Sequence, residues 1–448
     1  MSRPGVHLKT VADIDALKLK AEATGPGAVK PEARAVKAGY PKPIGEAAHI
    51  GLVGEFIRMV EPHTEADRNF LSVQFLVYAG YIAGRRAHVY AGDVHHSNLY
   101  VCGVGLTNTG RKGTATAPIR KALVGINQDI DGCISGVAPG ASSGEGVIYA
   151  IRDPLMKGNA VVDEGVKDKR LMIHEGEFAA TLAACNRDGN TLASILRTGW
   201  DGTSVLGALV KTSPIRATGA HICFVANITK DELLNSIARG IDNGLANRFL
   251  WCCSERSKIL PSGGKKILSV DWTAWRQRFG KNIDLVNGLV ELDAEAAELW
   301  GTDERPEGGA YEKLTGKRNG MFGAAVGRAA PQTLRIALVY ALLDGAPAIT
   351  KAHLLAALEV WRYCEDSAKY IFGTGLTNRN ANDILGCLKE YPEGVSREWI
   401  SVKLFKGHRS KDELDRAFQV LTEASLAHCK IIPTKGRSVE TWYPGPIT

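Results

Sequence analysis

Apolar positions along this chain fall into two rhythms. Leu52, Phe56, Ile57 and Val60 share one helical face, and after a break at Glu61-Pro62 so do Phe70, Val73, Leu76, Val77, Tyr81 and Ile82. Their spacing follows the 3.6-residue helical turn and predicts two packed helices across residues 50–84. Short continuous apolar runs at 99–104, 171–174, 222–226 and 249–252 predict buried strands. Helical patterns come between and after them, at 117–124, from Phe178 through Leu182 onward, at 191–200, 272–279 and 294–300 and over much of 324–372, where Arg328 and Arg335 are surface charge on a lid helix or a second phosphate sensor. Strands separated by helices predict an α/β protein with a parallel sheet, whose polar strand ends collect at one carboxyl edge.

Near the C-terminus the rhythm changes scale. Ile384, Leu385 and Leu388 mark one helix, Ser396 caps a second and Ser410-Lys411-Asp412-Glu413 opens a third. Strands at 428–432 and 438–443 follow, joined by a basic turn at 434–437. Three helices and a hairpin predict a winged helix. Lys403, Lys406, His408, Arg409, Lys411, Lys435 and Arg437 suit phosphate contacts; docking to another protein is the other reading. The expected divisions are an arm at 1–45, a helical region at 46–90, a core at 91–260, a mixed and helical extension at 261–373 and the winged helix at 380–448.

The chemistry concentrates after the first strand. Gly105-Leu-Thr-Asn-Thr109-Gly110-Arg111-Lys112-Gly113-Thr114 is a glycine loop between a strand and a helix. Such a loop turns backbone N–H groups onto an anion, and the helix N-terminus adds partial positive charge. In a phosphate loop the lysine reaches the β- and γ-phosphates and the hydroxyl holds Mg²⁺. A glycine-rich tight turn is the plainer alternative.

The run at 171–174 ends in two carboxylates, Glu175 and Glu177, one suited to Mg²⁺ and the other to polarising water. Glu145 is either a first-turn acid behind the capping Ser143 or a third carboxylate near the phosphates. Asn227 ends a core strand, where it would report the γ-phosphate or form a turn. Arg248, ahead of the run at 249–252, is either an inter-subunit arginine finger or a solvated, capping arginine. His95-His96 reads as a solvated turn.

Composition narrows the setting. The 448 residues are 45% hydrophobic and 23% charged, ordinary for a globular protein long enough for two or three domains. No apolar run approaches the roughly 18 residues of a membrane span, and the first ten residues hold no apolar leader. Nine scattered cysteines without C-x-x-C spacing fit a reducing cytoplasm, and a net charge of +7 permits a nucleic-acid partner.

Taken together, GEFIRMVEPHTEAD, QFLVYAGYIAGR, GLTNTGRKGT, SSGEGVIYAIRDP, RLMIHEGEFAATL, RATGAHICFVANIT, ANRFLW, GRAAPQTLRIALVYALLDG and the C-terminal module resemble the RecA-like P-loop ATPases of phages, plasmids and other mobile elements. The resemblance runs from Gly51 to Thr448. It implies a RecA-like core with ATP held by Gly105, Thr109, Gly110, Arg111, Lys112, Gly113 and Thr114. It implies an acidic metal and water-activating pair at Glu175 and Glu177 and an inter-subunit arginine at Arg248; beside these, Thr114 is the expected Mg²⁺ hydroxyl and Glu145 and Asn227 are the further expected catalytic residues. The activity implied is that of a hexameric replicative helicase on single-stranded DNA. The winged helix would meet duplex or origin DNA or a partner, and a separate primase or primase-polymerase would supply priming. A DNA-binding switch or loader that does not unwind is the alternative.

Overall fold

The structure, a computed structural model, describes residues 39–105, 112–126, 141–207, 215–237, 244–373, 378–433 and 438–445. Most of the arm expected at 1–45, most of the loop at 105–114 and the basic turn at 434–437 lie outside them.

Two helices open the described chain, α1 (Gly51–Val60) and α2 (Arg68–Ala83). The break between them is a 3-10 turn carrying Pro62, which lacks the amide to continue a helix. Asp67 caps α2 by accepting from the Asn69 and Phe70 amides. From Phe70 onward every residue of α2 is buried, as befits a helix apolar on all sides. Residues 42–45, expected in the arm, are tied down instead. Ile44 N–H donates to Asn69 at 2.8 Å, Gly45 N–H donates to Glu359 at 2.6 Å, and Arg362 donates to the carbonyls of Lys42 and Pro43.

The chain continues through β1 (Ala87–Tyr90), β2 (Val94–His96) and β3 (Tyr100–Gly105), then α3 (Thr116–Leu123) and α4 (Gly144–Ala150). An exposed hairpin, β4 (Leu155–Lys157) and β5 (Ala160–Asp163), leads to β6 (Arg170–Glu175), α5 (Phe178–Cys185) and α6 (Leu192–Asp201). A second hairpin, β7 (Val205–Gly207) and β8 (Arg216–Thr218), precedes β9 (His221–Thr229), α7 (Lys230–Ile237) and β10 (Phe249–Cys253). The central sheet has the order β10-β3-β9-β6, every pair parallel. Its strands are the apolar runs of the sequence, because a strand covered on both faces has no solvent side to leave polar.

Strand alternation assigns the faces. A Cβ on Gly103 would stand 2.6 Å from the Phe70 ring, so α2 lies on that face. Tyr100, of opposite parity, donates its hydroxyl to Leu196 O at 3.0 Å, so α6 lies on the other. The approach to α2 is close elsewhere too: a Cβ on Gly80 would fall 2.1 Å from Ser97 O.

The extension runs through α8 (Thr273–Leu285), β11 (Gly288–Leu289), α9 (Ala294–Trp300), α10 (Ala310–Thr315), α11 (Gly320–Val326), α12 (Ala329–Asp344) and α13 (Lys351–Phe372). Strand β11 pairs with β1, so residues 46–90 and 261–373 share a small sheet, β11-β1-β2. In this sheet His95 and His96 are buried, not solvated. The His96 ring hydrogen-bonds Ala87 O at 3.2 Å and stands edge-on to His88. The surface-charge reading of Arg335 also fails, because α12 is an interior helix and Arg335 has no exposed surface.

The C-terminal module contains α14 (Arg379–Glu390), β12 (Val395–Ser396), α15 (Arg397–Trp399, extended by a π-helical turn to Leu404), α16 (Lys411–Glu423), β13 (Ala427–Ile432) and β14 (Val439–Pro444). Its strands form an antiparallel sheet, β12-β14-β13. It has its own core, in which Ile384, Leu388, Ile400, Leu421 and Trp442 are buried and Phe418 stacks on Trp442 at 4.1 Å. Ser410 and Glu413 close a reciprocal capping box on α16. Lys403, Lys406 and Lys411 are exposed, whereas Arg409 is half-buried and donates to Asn380.

Candidate active site

Parallel strands put all their C-terminal ends on one edge, and register shows which residues meet there. Gly105, the last residue of β3, stands opposite Thr229, the last of β9. On the far side of β9, Glu175 stands opposite Ala226. Thus β9 separates the glycine-loop strand from the acidic strand, and Asn227 and Thr229 emerge between them.

Of the glycine loop, Thr109, Gly110 and Arg111 lie outside the described residues, as does the Lys112 side chain. The backbone of Lys112–Ala115 forms one 3-10 turn before α3. Gly113 is exposed and an added Cβ there would meet nothing within 4 Å. Thr114 is half-buried beside it. In α3, Ile119 and Leu123 turn inward, while Ala117 and Val124, grouped with them by the sequence pattern, are exposed.

The two acids differ in setting. Glu175 is buried, with one oxygen accepting from the Thr181 hydroxyl at 2.8 Å and the other from the Glu177 amide at 3.3 Å. These donors fix its carboxylate and leave lone pairs in reserve. Glu177 is exposed at the N-cap position of α5, where its side chain caps nothing. Gly176 between them is open, with nothing within 4 Å of an added Cβ. The edge thus presents one fixed carboxylate and one available to solvent.

Asn227 is buried, and its Oδ1 has no hydrogen-bond partner among the described residues. A buried unpaired carbonyl costs about 1–3 kcal/mol unless a donor satisfies it. Two carboxylates and an unsatisfied carbonyl acceptor at the edge, with the Thr114 hydroxyl in the turn before α3, are oxygen donors of the kind a hard cation takes. Thr114 and Glu175 are the residues that would hold Mg²⁺.

Behind the edge lies a polar chain that the sequence reading missed. Gln74 Nε2 donates to Thr116 Oγ1 at 2.7 Å, and Thr116 Oγ1 meets His174 Nε2 at 2.9 Å. It joins α2, the start of α3 and the residue before Glu175. Burial, with Arg120 nearby, holds the His174 pKa below the usual histidine value, which favours the neutral ring. The available signals were a lone glutamine in an apolar helix and a histidine interrupting LMIHE.

Glu145 lies in the first turn of α4. Ser143 caps α4 by accepting from the Gly146 amide, and Glu145 accepts from the Thr191 hydroxyl at 2.9 Å. The Gly199 and Trp200 carbonyls at the other end of α6 accept from Asn98, just before β3. Helix α6 therefore runs antiparallel to β3 and its first turn, with Glu145, points toward the carboxyl edge.

Arg248 is at the wrong edge of its own sheet to serve its own loop. It precedes Phe249, which pairs with Tyr100, the first residue of β3. About 17 Å of strand separates that end from Gly105. Nor is it solvated or projecting. Its guanidinium donates to both oxygens of Asp201, at 2.9 and 2.7 Å, and to Gly244 O at 2.6 Å, and its side chain is 8% exposed. These contacts brace β10 to the end of α6 and hold the arginine inside its subunit. Around the same aromatic ring, Arg335 lies 3.8 Å from the Trp200 centroid and Arg328 5.7 Å, and Arg328 also pairs with Asp201 at 3.8 Å.

Fold and site together define an α/β protein with a parallel central sheet and a polar, acid-bearing carboxyl edge. The chain matches no protein-family model and no curated protein sequence. Among the described residues no helix is long and apolar enough to cross a membrane, and no group of three or more His, Cys, Asp and Glu side chains could hold a metal by itself.

Proposed function

We propose that the chain is an ATP-dependent helicase or translocase on DNA, working as a hexamer in the replication of a phage, plasmid or other mobile element. One observation carries the reading: the strand leading into the glycine loop and the strand ending in Glu175 flank Asn227 on one carboxyl edge. Nucleotide chemistry needs an anion cradle, a metal-holding acid and a water-orienting acid within reach of one another. Mg²⁺, when bound, offsets charge on the β- and γ-phosphates. The glycine-loop amides and Lys112 bind the triphosphate, Glu175 and Thr114 hold the cation's shell, Glu177 orients water and Asn227 reports the γ-phosphate. The C-terminal module is read as a winged helix, with Lys403, Lys406 and Lys411 as phosphate contacts for duplex DNA. Single-stranded DNA is the translocated partner.

The test is phosphate release from ATP with and without single-stranded DNA, beside equilibrium binding of a fluorescent ATP analogue. Glu177→Gln is expected to lower turnover by about 100-fold or more while keeping nucleotide affinity. Lys112→Ala is expected to lose nucleotide affinity. Wild-type protein that binds no nucleotide overturns the reading.

A second reading draws on Arg248. Its bidentate tie to Asp201 occupies the guanidinium within its own subunit, which tells against its coupling hydrolysis across subunits. That favours an ATP-dependent switch or loader that assembles on DNA without unwinding. Stimulated ATPase activity without strand displacement on forked duplexes of either polarity selects the switch.

A further inference from the structure

We infer that a groove beside β1 and β11 docks an extended, basic segment of a partner polypeptide through an apolar anchor. The cavity measures about 680 Å³. Tyr90 overhangs it from the end of β1, Trp300 and Tyr311 line it from α9 and α10, and Leu334 of α12 contributes a buried aliphatic surface. The Trp300 and Tyr311 rings lie 5.7 Å apart at 53°, forming one aromatic wall. Tyr90 is 66% exposed and Tyr311 49%. Large aromatics left this open around a cavity mark an interaction surface, because nothing among the described residues covers them.

Charge identifies the occupant. Glu291 and Asp303 line the groove, and Glu304 and Glu307 follow on the exposed turn that carries Asp303. None of these four carboxylates forms an ion pair with a described residue; Arg305 is the cation on that turn. The chain as a whole carries +7, so an acidic rim here runs against the molecule's own balance. Such a rim repels phosphate and attracts cations, and aromatic faces add cation–π attraction for arginine and lysine. One wall is the end of β1 with the hairpin turn at 91–92 and the extended stretch at 289–292, the other helix ends and a turn. That shape accepts an extended chain, with an apolar side chain against Leu334 and Trp300 and basic side chains reaching the rim. The inference does not depend on the nucleotide reading, whose residues lie on other elements.

The test uses the full chain and a fluorescein-labelled peptide alternating arginine and leucine, followed by fluorescence anisotropy. A glutamate-for-arginine counterpart reports the sign of the charge. The basic peptide is expected to bind and the acidic one not. Tyr311→Ala, an exposed position, should weaken binding about tenfold, and Glu291→Gln with Asp303→Asn by about the same factor. Glu295→Gln and Glu298→Gln, on α9 but outside the groove, should leave it unchanged. Equal binding by Tyr311→Ala, equal loss in the α9 controls, or failure of the wild type to bind would each overturn the assignment.

Discussion

Replacing Arg335 probes how the extension is locked onto the sheet. This arginine has no exposed surface, stacks 3.8 Å from the Trp200 ring centroid, and donates to Asn98 O and Oδ1 at 3.0 and 2.9 Å. Burial pulls its pKa from 12.5 down to about 9, which leaves it charged at neutral pH. Arg335→Met keeps much of the volume and removes the charge. Two buried acceptors then lose a donor, at about 1–3 kcal/mol each, and a desolvated cation–π contact of about 2 kcal/mol goes with them. Against this, Nε and Nη2 lack partners among the described residues, and removing an imperfectly paired buried cation returns several kcal/mol of desolvation. The expected net loss for methionine is about 1–3 kcal/mol. Arg335→Ala loses the same contacts and opens a cavity worth a further ~2–5 kcal/mol. That total approaches the stability of an ordinary domain, about 5–15 kcal/mol. Urea unfolding followed by tryptophan fluorescence should rank wild type above methionine and methionine above alanine. An alanine variant within about 1 kcal/mol of wild type, or one more stable than methionine, refutes the reasoning.

Acid should unfold the protein through buried neutral histidines. Burial, the largest cause in each case, holds His49 and His96 at about 4 and His221 at about 3, all below the ordinary 6.5. His49 is fixed as a neutral ring, its Nδ1 accepting from Arg68 and its Nε2 donating to Ser72 Oγ, whose hydroxyl is spent on Arg68 O. The unfolded chain binds more protons below pH 6.5, so stability is full above that value and falls as pH drops through about 4. Each histidine removes up to about 2 kcal/mol by pH 5, and a melting temperature flat from pH 7 to pH 4.5 would contradict this. Gly80→Ala should cost about 3 kcal/mol or more, because the new Cβ meets a backbone carbonyl 2.1 Å away. Gly113→Ala should leave stability unchanged, since nothing lies within 4 Å; differential scanning fluorimetry separates the two. Thr116→Val strands Gln74 Nε2 and His174 Nε2, and a loss of about 2 kcal/mol in urea unfolding is expected.

The sequence by itself determined what is local. Continuous apolar runs became the four parallel strands, since strands covered on both faces leave no polar alternation. Asp67, Ser143 and Ser410 cap the helices they precede, because capping needs only neighbouring amides. A residue just ahead of a parallel strand lies at the amino edge, so the sequence also parts Arg248 from Gly105 of its own chain. Tertiary structure alone decided partners. Asp201, Trp200 and Asn98 come from separate segments, and only packing puts them around Arg248 and Arg335. Helix α12 is interior because α2, α8 and the small β11-β1-β2 sheet close over it, so an arginine read as surface charge became a core cation. The order β10-β3-β9-β6 is likewise no function of sequence spacing. It set Asn227 between the glycine-loop strand and the acids, because strand neighbours are chosen by how helices cover both faces and not by distance along the chain.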